Sequence, residues 1–189
     1  MNNAHTPRET VDRADIADRL DRPVVLVGLM GVGKTSIGRR LAAALGRDFV
    51  DADEEIEKAA DRTVSEIFAE YGEAFFRDGE RRVIARLMEE GHGVIATGGG
   101  AFVDPETRAL VLEKGIGVWL DCDLDTLVER TSRRNTRPLL KSGDPREILF
   151  NLKEQRSPAY AEAQIHVVTG DGPHEAAVAR ILEELAAWL

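Results

Sequence analysis

Cysteine is nearly absent from this chain. Cys122 is the only one, which excludes an intramolecular disulfide and suits a reducing cytoplasm. Histidine is scarce as well. His5, His92, His166 and His174 are scattered and, with a single thiol, show no metal-ligand spacing. Apolar runs are short, and none approaches the roughly 20 residues that a membrane-spanning helix needs. The opening stretch MNNAHTPRETVDRADIADRL holds no apolar signal core. It reads as a polar, flexible extension over residues 1–20, with room for a short helix near Ala14–Leu20. Basic residues are outnumbered, 25 Lys and Arg against 34 Asp and Glu, for a net charge of −9. That balance argues against a nucleic-acid partner.

What is present is an ordinary globular balance. Hydrophobic residues make up 43 % and charged residues 31 % of 189, enough for a domain with a sizeable core. Short β-rich runs at 23–27, 49–51, 93–97, 117–121 and 165–168 alternate with stretches of helical periodicity, such as Ile37, Leu41 and Leu45. Alternation of this kind predicts an α/β protein: a five-stranded parallel sheet between two helical layers, one domain over residues 21–189. The stretch RTSRRNTRPLLKSGDP is basic and carries glycine and two prolines. It reads as a lid over about residues 131–145.

Residues 28–35 read GLMGVGKT, directly after the apolar run VVLV and before the helical pattern SIGRRLAAAL. Glycines free the backbone to approach an anion, and successive N–H groups at a helix N-terminus cradle phosphate oxygens. Lys34 adds a cation, and the Thr35 hydroxyl can reach Mg²⁺. The chain is therefore expected to bind a nucleoside triphosphate. The loop alone does not name an acceptor, because many activities share it.

Further clusters follow. Asp51 and Asp53 lie two apart at the end of a strand. Period-2 geometry can aim both carboxylates the same way, at the sheet edge where α/β proteins bind ligands, although a strand end and a helix cap would read the same. Arg77 and Glu80 share a helix face, as site residues or as a surface ion pair. Gly98, Gly99 and Gly100 follow a buried strand, which is more glycine than a turn requires. Arg130, Arg133, Arg134 and Arg137 gather positive charge on an acidic chain. Either they cover an anionic ligand or they form a solvated basic loop.

Taken together, GLMGVGKT, DAD, FRDGE, TGGGA, RPLL and RSPAY resemble shikimate kinase, among the nucleoside monophosphate kinase-like P-loop enzymes. The resemblance runs from about Arg22 to Leu189. It implies a monomeric cytoplasmic enzyme that phosphorylates the 3-hydroxyl of shikimate with ATP and Mg²⁺, in aromatic amino acid biosynthesis. It would set the ATP phosphates on Gly31, Val32, Gly33, Lys34, Thr35 and Ser36. Mg²⁺ would sit at Thr35 and Asp51, and Arg130 would lie against adenine. Arg137 would swing in with the lid to the γ-phosphate. Shikimate would meet Asp53 as the base, Arg77 and Arg156 as carboxylate clamp, Glu80, the N–H groups of Gly98–Gly100, and the rings of Phe68 and Phe76. Another small-metabolite kinase, such as a gluconate kinase, and a P-loop regulator are the alternatives. No Asn-Lys-x-Asp motif supports a GTPase, and TGGG stands where many P-loop proteins carry an acid. The loop Thr169–Pro173 carries Asp171 where some relatives are basic, so it yields no assignment of base contacts.

Overall fold

The computed structural model describes residues 12–133 and 143–189. Five parallel strands form one sheet: β1 (Val24–Val27), β2 (Phe49–Asp51), β3 (Val94–Ala96), β4 (Ile116–Asp121) and β5 (Ile165–Val168), in the order β2-β3-β1-β4-β5. The run VVLV becomes the central strand because all four residues are apolar and β-compatible, and each is at most 1 % exposed. At the edge, β5 instead alternates, with Ile165 and Val167 buried and His166 and Val168 outward.

Helices cover both faces: α1 (Arg13–Arg19), α2 (Lys34–Leu45), α3 (Ala52–Ala60), α4 (Val64–Glu89), α5 (Pro105–Lys114), α6 (Leu124–Ser132), α7 (Pro145–Tyr160) and α8 (His174–Trp188). Side-chain caps set several starts. Asp51, Thr63, Asp104, Asp123 and Asp144 each accept a backbone N–H of the turn that follows. Long α4 is broken at Gly72, whose φ of 82° leaves the helical region and changes the helix direction. A small apolar cluster of Ile56, Ile67 and Phe76 joins α3 to α4, apart from the main core.

The reading of residues 1–20 as a flexible extension does not hold where the chain is described. α1 packs on α2 and α8, and Ile16 and Leu20 belong to the main core at 1 % and 3 % exposure. Arg47 clasps it by donating to the carbonyls of Ala17 and Leu20 at 2.8 and 2.9 Å. Two apolar residues in a charged stretch were too sparse to set a period.

Candidate functional site

The C-terminal ends of β1, β2 and β3 open into a cavity of about 700 Å³. Parallel sheets bind ligands at this end because loops and helix N-termini converge there. One end of the cavity is built by the glycine loop. Gly31 and Gly33 take φ of 84° and 101°, which only glycine adopts without strain. Gly33 then serves as N-cap of α2 with no side chain over the helix N-terminus, so the first-turn N–H groups are left to a ligand. Lys34 folds back over the loop, donating to the carbonyls of Gly28 and Leu29 at 2.7 and 2.9 Å. Thr35 Oγ1 donates to Asp51 Oδ2 at 2.7 Å.

Gly31, Gly33, Lys34, Thr35 and Ser36 all line this end, as does Arg130. Val32 does not: its side chain is 1 % exposed in the core, and only its carbonyl faces Arg130, at 3.3 Å. Arg130 lies in the last turn of α6 and also donates to the Gly170 carbonyl at 2.8 Å, tying the loop after β5 to the glycine loop. Asp171 in that loop accepts from Thr126 at 2.7 Å, so its charge serves the loop's own anchorage.

The other end of the cavity carries both carboxylates and guanidinium groups. Asp53 lines it, but not by strand alternation. The strand stops at Asp51, which caps α3 by accepting the Asp53 N–H at 3.0 Å, so Asp53 points inward from the first helical turn. Arg77 and Glu80 lie one turn apart on α4 and pair at 2.6 Å. Glu80 is 1 % exposed, and its Oε1 has no partner among the described residues. Burial outweighs the Arg77 charge and pushes its carboxyl up to about 7. Phe68 and Phe76 stand 4.6 Å apart, centre to centre, and line the same wall.

The glycine run is explained by crowding. A Cβ on Gly98 would stand 2.8 Å from Asp53 Oδ1 and 2.9 Å from Glu80 Oε1. On Gly99 it would meet Arg156 Nη1 at 3.2 Å, and on Gly100 it would collide with the Arg77 guanidinium. Three glycines thus admit two carboxylates and two guanidinium groups to one spot. Tyr160 braces the turn by donating its hydroxyl to the Gly99 carbonyl. Arg137 and most of the expected lid lie outside the described residues.

The cavity therefore joins an anion cradle to a second subsite with paired arginines and facing carboxylates. A sequence profile of the shikimate kinase family matches residues 30–186. The chain belongs to the shikimate kinase family. It is 60 % identical to a shikimate kinase of Novosphingobium aromaticivorans over 95 % of this chain and 94 % of that one. It is also 60 % identical to one from Caulobacter vibrioides, over 90 % and 86 %. Among solved structures, a shikimate kinase from Acinetobacter baumannii in complex with shikimate superposes with a TM-score of 0.84 at 37 % identity, covering 88 % of this chain and 93 % of that one. A gluconokinase from Sinorhizobium meliloti shares the fold, with a TM-score of 0.57 and 20 % identity over 88 % and 92 %.

Several lining residues escaped the sequence reading: Glu57, Val64, Ser65, Thr97 and His174. His174 starts α8, and its Nε2 comes within 3.4 Å of where a Gly33 Cβ would sit. Its only sequence signal is the preceding Gly-Pro turn, which says that a helix begins but not where it points. Cys122 is buried, as expected of a small residue after a strand, and burial pushes its thiol up to about 11, away from reactivity.

Proposed function

We propose that this cavity transfers the γ-phosphoryl group of ATP to the 3-hydroxyl of shikimate, giving shikimate 3-phosphate and ADP. The observation that carries the reading is the meeting of Asp53, Glu80, Arg77 and Arg156 around Gly98–Gly100, in the same cavity as the glycine loop. A ring with one carboxylate and vicinal hydroxyls needs a guanidinium at one side and carboxylate acceptors at the other.

In this reading Arg77 and Arg156 hold the acceptor carboxylate, and Phe68 and Phe76 wall the ring. Asp53 accepts the proton of the attacking hydroxyl as the bond to phosphorus forms and the bond to the leaving oxygen of ADP breaks. Lys34 leaves the carbonyls of Gly28 and Leu29 for the phosphates, and the N–H groups of Gly31 to Ser36 bind phosphate oxygens. Arg130 lies along the nucleoside. From the lid, Arg137 meets the γ-phosphate and closes the site against water.

Thr35 and Asp51 fit Mg²⁺. They offer two hard oxygens 2.7 Å apart, and no group of three carboxylate, histidine or cysteine ligands exists among the described residues. Mg²⁺ characteristically takes few protein ligands beside waters and phosphates. When bound, it supplies charge neutralisation at the β- and γ-phosphates.

The test is ADP release from ATP and Mg²⁺ with shikimate, quinate, gluconate or no acceptor. Release with shikimate alone is expected. Release with gluconate in its place would overturn the acceptor assignment and leave the nucleotide site standing.

A further inference from the structure

We infer that Glu80 takes up a proton when the acceptor binds, so that acceptor capture is proton-coupled and Glu80 enters the complex as a neutral carboxylic acid. The inference rests on the proposed shikimate reading, since it requires an acceptor that carries its own negative charge. The geometry is that of a crowded anionic corner. Glu80 is almost fully buried on the cavity wall, its Oε2 held by Arg77 and its Oε1 without a partner among the described residues. Asp53, on α3, converges with that free oxygen on Gly98.

The charges around Glu80 come from each packed element. Arg77 lies on its own helix. Asp53 on α3 and Asp104 at the start of α5 repel its anion. Tyr160 on α7 feels the Glu80 charge, and Arg156 lies across the glycine turn. Arg77 is the cation that bonds to Glu80 directly. A bound carboxylate claims that same guanidinium, adds a like charge and removes water from the corner. All three effects favour the protonated form. Because the carboxyl already sits near neutrality, a modest further rise suffices for net uptake at physiological pH. The neutral acid then has an O–H to donate, and its Oε1, without a partner among the described residues, lies beside Gly98 on the cavity wall. Up to one proton from solvent joins Glu80 for each acceptor anion bound, and the Asp53 base is spared a second anion beside it.

Calorimetric titration of the full chain with shikimate, in buffers of differing ionisation enthalpy at pH 7.5–8, reads the uptake directly. Wild type is expected to take up between about 0.5 and 1 proton per acceptor, with affinity falling up to about tenfold per pH unit above the free-state value. Glu80→Gln, which is permanently neutral, should bind with no uptake and a flat pH profile. Shikimate binding by wild type without proton uptake overturns the inference, and this arm does not depend on the variant folding. Equal uptake in Glu80→Gln overturns the assignment to Glu80. No binding or turnover with shikimate at all would instead refute the acceptor reading.

Discussion

At the scale of single residues, the site divides labour by charge sign. Asp53 and Arg156 approach the same glycine turn from different helices, so their losses should separate kinetically. Asp53→Asn keeps the shape but removes the carboxylate proposed as the proton acceptor. We expect kcat to fall by about 10²- to 10⁴-fold with an unchanged melting temperature. Retained kcat would reduce Asp53 to positioning. Arg156→Ala removes a charged donor near Gly99, and acceptor KM should rise by about 10- to 150-fold while ATP KM stays put. Steady-state kinetics with each substrate varied in turn checks both, and a rise in ATP KM instead would move Arg156 to the nucleotide. Gly98→Ala is a third probe. Its methyl would stand within 3 Å of two carboxylate oxygens, so it should abolish acceptor binding yet leave nucleotide binding intact, as separate titrations would reveal.

Residues of this kind were the most legible part of the sequence. A glycine-rich loop ending in Lys-Thr, a triple glycine after a strand, and arginines on an acidic chain each violate what a bland surface needs. Their exact placement was less legible. Asp51 and Asp53 could be read either as a pair on a strand or as a strand end beside a helix cap, and the sequence did not choose. The Asp51 side chain stops the strand by capping α3, a local competition that alternation alone does not reveal. His174 was silent because one histidine at a helix start carries no pattern.

At the scale of elements, the strands and the amphipathic helices were readable from period, whereas the break of α4 at Gly72 is a finding of the structure. The error was α1. Its seven residues hold one core side chain, Ile16, within RADIADR, too little for a periodic signal. Its stability comes from the tertiary groove between α2 and α8 and from the Arg47 clasp, not from propensity. That makes a prediction for the element. Ile16→Ala should cost about 2–5 kcal/mol in urea unfolding, as a fully buried aliphatic does. A loss below about 0.5 kcal/mol would mean that α1 is undocked in solution. Either way the cavity is remote from α1, so kcat should not follow the stability change.

At the scale of the whole molecule, the two ends of the parallel sheet do different work. The C-terminal ends of the strands carry the cavity. The opposite ends carry a stabilising latch. Asp48, just before β2, accepts the Gly93 N–H at 2.8 Å and pairs with His92, just before β3, which also meets Glu90. The Asp48 hydrogen bond raises His92 above its ordinary 6.5 in spite of partial burial. A histidine raised on folding stabilises fully below its unfolded value and loses that contribution as pH climbs through the folded one. Wild type should therefore exceed His92→Ala in stability by up to about 1 kcal/mol near pH 6, a small figure because Asp48 is largely solvated. The gap should close as pH rises past the folded value. Thermal melts of both proteins from pH 5.5 to 9 measure it, and a gap that widened with pH would show that the latch is not the protonated pair. Turnover at a fixed pH should be the same in both proteins. A sheet that keeps its pH-sensitive cross-tie at one end and its reacting groups at the other can change its stability with pH without moving the geometry around Gly98.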